Sequence, residues 1–393
     1  MLRSTDRIRT THVGSLARPP ALLDLMRAAA QGRPVEQAEL AEAERRAVTD
    51  VVVRQRAAGL DAISDGEQTK TGFYAYIGER LSGFEPRAGG DPLAGFRAEI
   101  DSFPEYYEQY LKGAMTGGMA VPVVPLRCTG PVSYIGHERL RRDLGLLRVA
   151  VGDAAPDFGA DQVFVCAVAP SGVGGNEYYP SQADYLDAVA DALHVEYAAI
   201  VEAGFTLQID DPFLTDVFSY GSGSAQEKRA VARGYVDAIN RSLRGIPRDR
   251  VRLHTCYGIN EGPRVHDAPL ADLIDTLFTI EAGAFSFEAA NPRHEHAYTY
   301  SRRSRRRRRW CCCRASSATR PTSSSTPRSS PTASSGSPNW SDGRTWWPAP
   351  TAASPPRPRT APRSTRRSCG PNSRHWRRAR AGPRPGSGEH RRR

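Results

Sequence analysis

Short apolar runs alternate with longer amphipathic segments over the first 300 residues. Seven runs are predicted to be strands or strand ends: 10–15, 61–67, 121–131, 162–172, 206–212, 251–258 and 284–290. Between them, a 3.6-residue apolar period predicts helices over 19–32, 35–59, 181–204, about 224–245 and 269–283. Ser181 precedes the third of these helices and is predicted to be its N-cap.

Strands that alternate with helices are typical of a parallel sheet. About seven such strands predict an α/β fold, a (β/α)8 TIM barrel that is incomplete at its C-terminal end. The proline-rich run at 121–131 is the strand most easily assigned to an insertion. The alternative is an open doubly wound sheet, but no G-x-G-x-x-G motif follows the first strand.

Charge divides the chain at about residue 300. Of its 54 basic and 43 acidic residues, 24 arginines and two acids lie in 301–393, so this tail carries +22 and residues 1–300 carry −11. The tail has no Leu, Ile, Val, Met, Phe or Tyr. Without aliphatic side chains it cannot offset the entropy of ordering a chain, so we expect residues 301–393 to be a disordered domain beside a barrel domain at 1–300.

Two origins are open for this arginine-, serine- and proline-rich tail. It could be a basic arm that binds nucleic acid. The interpretation favoured here is out-of-frame translation of a GC-rich gene. The tail has no lysine, five tryptophans and a Cys311–Cys313 triplet, and residues 1–300 contain only three lysines. Nucleic acid is therefore not the expected partner.

The compartment is predicted to be the cytoplasm. The first ten residues contain no apolar segment of a secretory signal, and no apolar run approaches the ~20 residues of a membrane span. Cys128, Cys166 and Cys256 are scattered, which argues against a disulfide framework.

Polar residues fall where the predicted strands end: Ser15, Glu67, Arg127, Asp210, His254, Cys256 and Glu288. In a (β/α)8 barrel these ends surround the active site, so the pattern favours an enzyme. His254 and Cys256 are separated by one residue and therefore point to the same side of a strand, as a zinc site requires. A buried cysteine beside a histidine in the core is the simpler explanation of this pair taken alone.

The acidic motifs are weaker signals. Asp210 and Asp211 are adjacent in a strand and should face opposite ways, so only one of them can face a pocket. Either a turn or a site explains them equally well. Glu67 in "DGE" and Glu288 after the last predicted strand carry no assignment by themselves, and "NPRHEH" at 291–296 is read as a polar loop.

Taken in order, six stretches resemble the cobalamin-independent methionine synthase family, meaning its catalytic C-terminal barrel and its short stand-alone relatives. They are "TTHVGSLARP", "SDGEQTKTGFYAYIGERLSGF", "RCTGPVSYIG", "NEYYPSQADYLDAVADALHVEYAAIVEAGFTLQIDDP", "RLHTCYGIN" and "FEAANPRHEH", and they span residues 8–298. The resemblance implies a methyltransferase of methionine biosynthesis that moves a methyl group from 5-methyltetrahydrofolate, as its polyglutamate, or from another methyl carrier, to homocysteine.

The roles of the family's functional residues are assigned to the positions of this sequence that match the family's motifs. The resemblance implies that zinc is bound by His254, Cys256 and Glu288. It implies that Ser15, Glu67 and Asp210 hold the amino and carboxyl groups of homocysteine, and that Arg127 lies near the folate tail. The Arg127 match departs most from the family pattern.

The family's last strand, with a D-C-G motif that supplies a fourth zinc ligand, has no match after Tyr298, so we expect activity to be impaired. Two other functions stay open: a different thiol methyltransferase or uroporphyrinogen-decarboxylase-like enzyme, and nucleic-acid binding through the tail.

Overall fold

The computed structural model describes residues 7–73, 75–87, 89, 97–112, 124–159, 161–258, 264–288, 293–294, 297 and 311–315, the last five and 111–112 as backbone only. All of them belong to the first of two units of the chain, Met1–Thr322. The second unit, Ser323–Arg393, lies outside the described residues. The predicted boundary at residue 300 therefore stays a prediction.

Helices and strands alternate along the described chain as the apolar pattern predicts. The helices are α1 Pro20–Ala30, α2 Gln37–Ala57, α3 Arg97–Ser102, α4 Pro104–Lys112, α5 His137–Ala154, α6 Gln182–Glu202, α7 Phe213–Ser219, α8 Ala225–Ser242 and α9 Leu270–Leu277. The strands are β1 Ile63–Ser64, β2 Phe84–Pro86, β3 Leu126–Cys128, β4 Val163–Val168, β5 Gly175–Asn176, β6 Thr206–Asp210, β7 Val251–Thr255, β8 Ala284–Glu288 and β9 Cys311–Ala315. Ser181 caps α6 as predicted, because its hydroxyl accepts a hydrogen bond from the amide of Asp184.

Six strands form one parallel sheet in the order β1-β4-β6-β7-β8-β9. A parallel bridge between Thr11 and Ala62 adds the N-terminal segment beyond β1. All residues of β4, β6, β7 and β8 are buried, since helices cover the outer face of such a sheet. The described residues contain no eighth strand that joins the two edges.

The sheet curls so that distant strands meet across its inner face. Gln208 of β6 donates a 2.5 Å hydrogen bond to the carbonyl of Val13, and Arg252 of β7 lies 3.5 Å from the hydroxyl of Thr11. Neither β6 nor β7 is a sheet neighbour of the N-terminal segment, so these contacts cross the interior. The fold is an incomplete barrel, as predicted, and not an open doubly wound sheet.

The proline-rich run belongs to an insertion. Its one strand, β3, pairs with β2 and β5 in a separate three-stranded sheet. The prediction that this run is not a barrel strand is therefore confirmed by the sheet order.

Residues Cys311–Ala315 depart from the expected disorder of the tail. They form β9, parallel to β8, with Ala284 level with Cys311 and Glu288 level with Ala315. The physical reason is the exposed edge of β8, whose unpaired amide and carbonyl groups accept any extended segment through the backbone alone. The rest of 301–393 lies outside the described residues.

No helix of the described chain is both long enough and apolar enough to cross a membrane.

Candidate functional site

Residues at the carboxyl ends of β6, β7 and β8 lie in one row. Asp210 pairs in register with His254, and His254 pairs with Ser286. Cys256 follows His254 by two residues, and Glu288 follows Ser286 by two residues. Both therefore lie one step nearer the carboxyl end of the sheet. The predicted site residues on these three strands are thus neighbours at one end of the sheet.

Glu67 lies beside this row, in the turn that follows β1. Its backbone φ is +56°, in the left-handed region that few residues other than glycine adopt, and Gly66 before it has φ +60°. Arg18 holds the turn, because its Nη2 donates 2.7 Å hydrogen bonds to the carbonyls of Glu67 and Lys70. A strained backbone held by buried side-chain bonds is typical of a functional site.

The carboxylate of Glu67 is bound on both oxygens. Ser15 Oγ donates to Oε1 at 2.7 Å, and Lys70 Nζ lies 3.2 Å from Oε2. Lys70 also donates to the carbonyl of Cys166 at 2.6 Å, and its ammonium lies 4.3 Å from the centre of the Tyr76 ring. Glu67 and Lys70 are both nearly inaccessible to solvent. Burial tends to neutralise Glu67, but Lys70 and Ser15 outweigh it and lower its pKa.

Asp210 faces the same interior space. Gln208 Nε2 donates to Oδ1 of Asp210 at 2.7 Å, and the negative charge of Glu67 is close. Burial, reinforced by Glu67, raises the pKa of Asp210 to about 8. Lys70 and Arg252 both favour the ionised form of Asp210, but burial and the charge of Glu67 outweigh them.

Asp211 faces the opposite side, as adjacent strand residues must. Its Oδ1 accepts hydrogen bonds of 3.0 Å from the amide of Leu214 and from the hydroxyl of Ser171. Asp211 therefore bonds the first turn of α7, whereas Asp210 bonds Gln208. The two adjacent aspartates thus have separate partners, as expected for side chains on opposite faces of a strand.

Among the described residues, one group of three potential metal ligands has its ligand atoms within 4.8 Å of one another: Glu67, Cys166 and Asp210. This cluster already contains Lys70, whose ammonium contacts Glu67, and Arg252 lies near Asp210. The cluster is better suited to a singly charged amine than to a divalent cation, because these fixed positive charges oppose the cation.

His254 has the surroundings of a neutral metal ligand. Its Nδ1 lies 3.2 Å from Ser286 Oγ, and burial lowers its pKa to about 4. A ligating histidine must be unprotonated, and a hydrogen bond on one ring nitrogen orients the other.

Cys256 and Glu288 complete the predicted zinc set. Burial raises the pKa of the Cys256 thiol to about 12, so without a cation it stays protonated. Glu288 accepts a 3.4 Å hydrogen bond from the amide of Tyr257 and pairs with Arg264. Nitrogen, sulfur and carboxylate oxygen suit zinc, so the donor chemistry fits. In the described structure the ligand atoms of these three residues are not all within 4.8 Å of one another.

Arg127 is placed apart from these residues, on β3 of the small sheet. Its guanidinium lies 3.3 Å from both Glu85 and Glu177, and it is more than a third exposed. The predicted contact with a folate tail would have to compete with these two carboxylates.

Sequence reasoning missed Lys70, Gln208 and Arg264. Lys70 had a detectable signal, because it is one of only three lysines in the first 300 residues and sits three positions after Glu67. Arg264 had none, since arginine is common throughout the chain and its carboxylate partner Glu288 lies 24 residues away.

No family model matches the chain. Over 253 residues the chain is 26% identical to a methionine synthase of Sulfolobus acidocaldarius, covering 63% of this chain and 61% of that protein. It is 25% identical over 263 residues to the uncharacterized protein YxjH of Bacillus subtilis, covering 64% and 62%. The chain thus spans about three-fifths of the length of these curated relatives.

A B12-independent methionine synthase from Shewanella sp. W3-18-1, solved in complex with selenomethionine, superposes with a TM-score of 0.50 and 18% identity, over 72% of this chain and 73% of that one. This likeness concerns the fold and agrees with the incomplete barrel. The archaeal relative confirms the resemblance to methionine synthases predicted from the six stretches.

Proposed function

We propose that this chain has the architecture of a zinc-dependent methyltransferase that transfers a methyl group to the thiol of homocysteine. One observation carries the proposal: Ser15 bonds Glu67, and Glu67 lies close to Asp210, whose neighbour in the sheet is His254. Archaeal relatives named methionine synthase support it.

The pocket would hold the amino-acid end of the substrate. An ammonium group placed between Glu67 and Asp210 would add a positive charge beside both carboxyl groups, and its arrival would favour ionisation of Asp210. The hydroxyl of Ser15, now bound to Glu67, can turn toward a substrate carboxylate. The thiol of the substrate would then extend from Asp210 toward His254, Cys256 and Glu288.

His254, Cys256 and Glu288 would hold the zinc. When bound, zinc stabilises a sulfur ligand as thiolate at neutral pH. The protein's part is to present a neutral imidazole oriented by Ser286 and to give up the proton of Cys256 on metal uptake. The fourth zinc ligand of the family is a cysteine in a D-C-G motif of the last strand. That motif does not occur in this sequence, and the residue of β9 that pairs with Glu288 is Ala315.

We therefore infer weakened zinc binding and negligible turnover by this polypeptide. The methyl donor would be 5-methyltetrahydrofolate or another carrier, with protonation of its leaving amine by an acid. The free thiols of Cys128, Cys166 and Cys256 support the cytoplasm as its compartment.

Two cysteine variants test the metal assignment. Cys256→Ser and Cys166→Ser each remove one thiol, from the predicted zinc set and from the Glu67 cluster respectively. The expected result is loss of zinc uptake in Cys256→Ser and retention in Cys166→Ser, measured by elemental analysis after dialysis. The reverse result would place the metal in the Glu67 cluster and refute the assignment.

A further inference from the structure

We propose that Arg264 is a positioning residue that fixes Glu288 relative to the loop after Cys256, and so sets the geometry of the metal site. This inference rests on the proposed function, because it concerns two of the three proposed zinc ligands. Arg264 itself touches neither substrate nor metal.

Arg264 reaches Glu288 from a fully buried position. Its Nη2 lies 3.3 Å from Oε1 and 3.4 Å from Oε2, so one nitrogen is shared between both carboxylate oxygens. Charge-assisted hydrogen bonds are normally about 2.7–2.9 Å long. The shared contact restrains both oxygens from one side and so fixes the orientation of the carboxylate.

The same guanidinium also forms hydrogen bonds with the backbone that follows Cys256. Its Nη1 donates to the carbonyl of Tyr257 and lies 3.3 Å from that of Gly258. Arginine presents its donors in a rigid planar fork. Glu288 and the segment after Cys256 are therefore held by one rigid group, although 30 residues of chain separate them.

Arg264 is in turn anchored by Asp267. Its Nε lies 3.3 Å from Asp267 Oδ2, which also lies 3.0 Å from His294 Nε2 and 3.3 Å from Arg293 Nε. The His294 ring stacks on Tyr257 with centroids 4.0 Å apart.

A second anchor comes from the insertion. Glu99 of α3 is buried and accepts hydrogen bonds from the amides of Val265 and His266, at 2.8–3.0 Å. The residues next to Arg264 are therefore fixed from outside the sheet. This support gives the arginine a defined place from which to orient Glu288.

The simpler reading is that Arg264 only neutralises a buried carboxylate. Arg80 offers a matched control, because it is also buried and bonds a carboxylate, Asp143, and a carbonyl, that of Gly136. Lysine at either position keeps the charge and removes the fork.

The test compares Arg264→Lys and Arg80→Lys in the full chain with Co²⁺ as the probe. Affinity is read from competition with a chromogenic chelator, and ligand geometry from the Co²⁺ absorption spectrum. Arg264→Lys is expected to weaken binding about tenfold or more and alter the spectrum, as loss of support around a metal site does. Arg80→Lys should change neither. Unchanged affinity in Arg264→Lys, or equal loss in both variants, would overturn the positioning role.

A double-mutant cycle separates action through Glu288 from a general effect. In a Glu288→Gln chain, Arg264→Lys should cause no further loss of Co²⁺ affinity, because its target is already gone. An independent, additive loss would contradict the proposal. If the unaltered chain takes up no Co²⁺, the proposed metal site itself is refuted, and the positioning role with it.

Discussion

The hydroxyl of Ser15 donates a 2.7 Å hydrogen bond to Oε1 of Glu67, although 52 residues separate the two along the chain. Lys70 takes the other oxygen at 3.2 Å. Glu67 is thus oriented before any substrate arrives, which lowers the entropic cost of binding an amine there.

Glu67→Gln should destabilise the chain by about 3–5 kcal/mol, because it leaves the buried Lys70 without its counter-charge. Glu67→Gln combined with Lys70→Met should recover much of this loss, since no unpaired charge remains. Urea denaturation measures both. Equal stability of Glu67→Gln and the unaltered chain would mean that water or another acid already compensates Lys70.

Asp210→Asn and Asp211→Asn should separate binding from stability. Asp210 faces the pocket, so its replacement should weaken methionine or homocysteine binding about tenfold or more, as loss of a buried charged contact does. Asp211 bonds the first turn of α7, so its replacement should leave binding unchanged while lowering the melting temperature. Isothermal titration and thermal unfolding provide the two readouts. If Asp211→Asn lost binding and Asp210→Asn kept it, the assignment of Asp210 to the substrate side would be wrong.

Asp210 should also make stability depend on pH. Its pKa is about 8 in the folded chain against an ordinary 3.8, so between these values the folded state holds a proton that the unfolded state has lost. Stability from this group therefore falls as pH rises from about 4 to 8. The melting temperature of Asp210→Asn, relative to that of the unaltered chain, should therefore be higher at pH 8 than at pH 5. A difference that is the same at both pH values would show that Asp210 does not titrate in this range.

Two truncations test the role of the tail strand. A chain ending at residue 322 keeps β9 on the edge of β8, whereas one ending at residue 300 leaves that edge unpaired. We expect the shorter chain to aggregate faster, because unpaired strand edges recruit other chains. Light scattering at equal concentration compares them. Equal aggregation would mean that β9 does not protect the edge.

The nucleotide sequence tests the origin of the tail. We expect a neighbouring frame after about codon 300 to encode an apolar strand-helix pattern with a D-C-G-like motif. A shifted frame interrupted by stop codons would instead make the basic tail genuine.

A chain carrying the frame-corrected segment should bind zinc more tightly than the present one and form methionine. Both chains would be assayed together for zinc content and methionine formation. Equal activity would show that the last strand and its cysteine are dispensable.

The sequence by itself determined the alternation of strands and helices and therefore the parallel barrel, because burial imposes a period on each segment. It also located Asp210, His254, Cys256 and Glu288 at strand ends, since polar residues that close apolar runs must gather at one rim. The cap at Ser181 followed from local backbone chemistry alone.

Only the tertiary structure decided which charges meet. The pairing of Glu67 with Ser15, the approach of Asp210 to Glu67 and Cys166, and the bonds between Arg264 and Glu288 all depend on how the sheet curls and where its loops cross. The pairing of β9 with β8 depends on an open strand edge, which side-chain composition does not encode. Electrostatic and backbone contacts between distant segments leave no period in the chain, so pattern alone could not have found them.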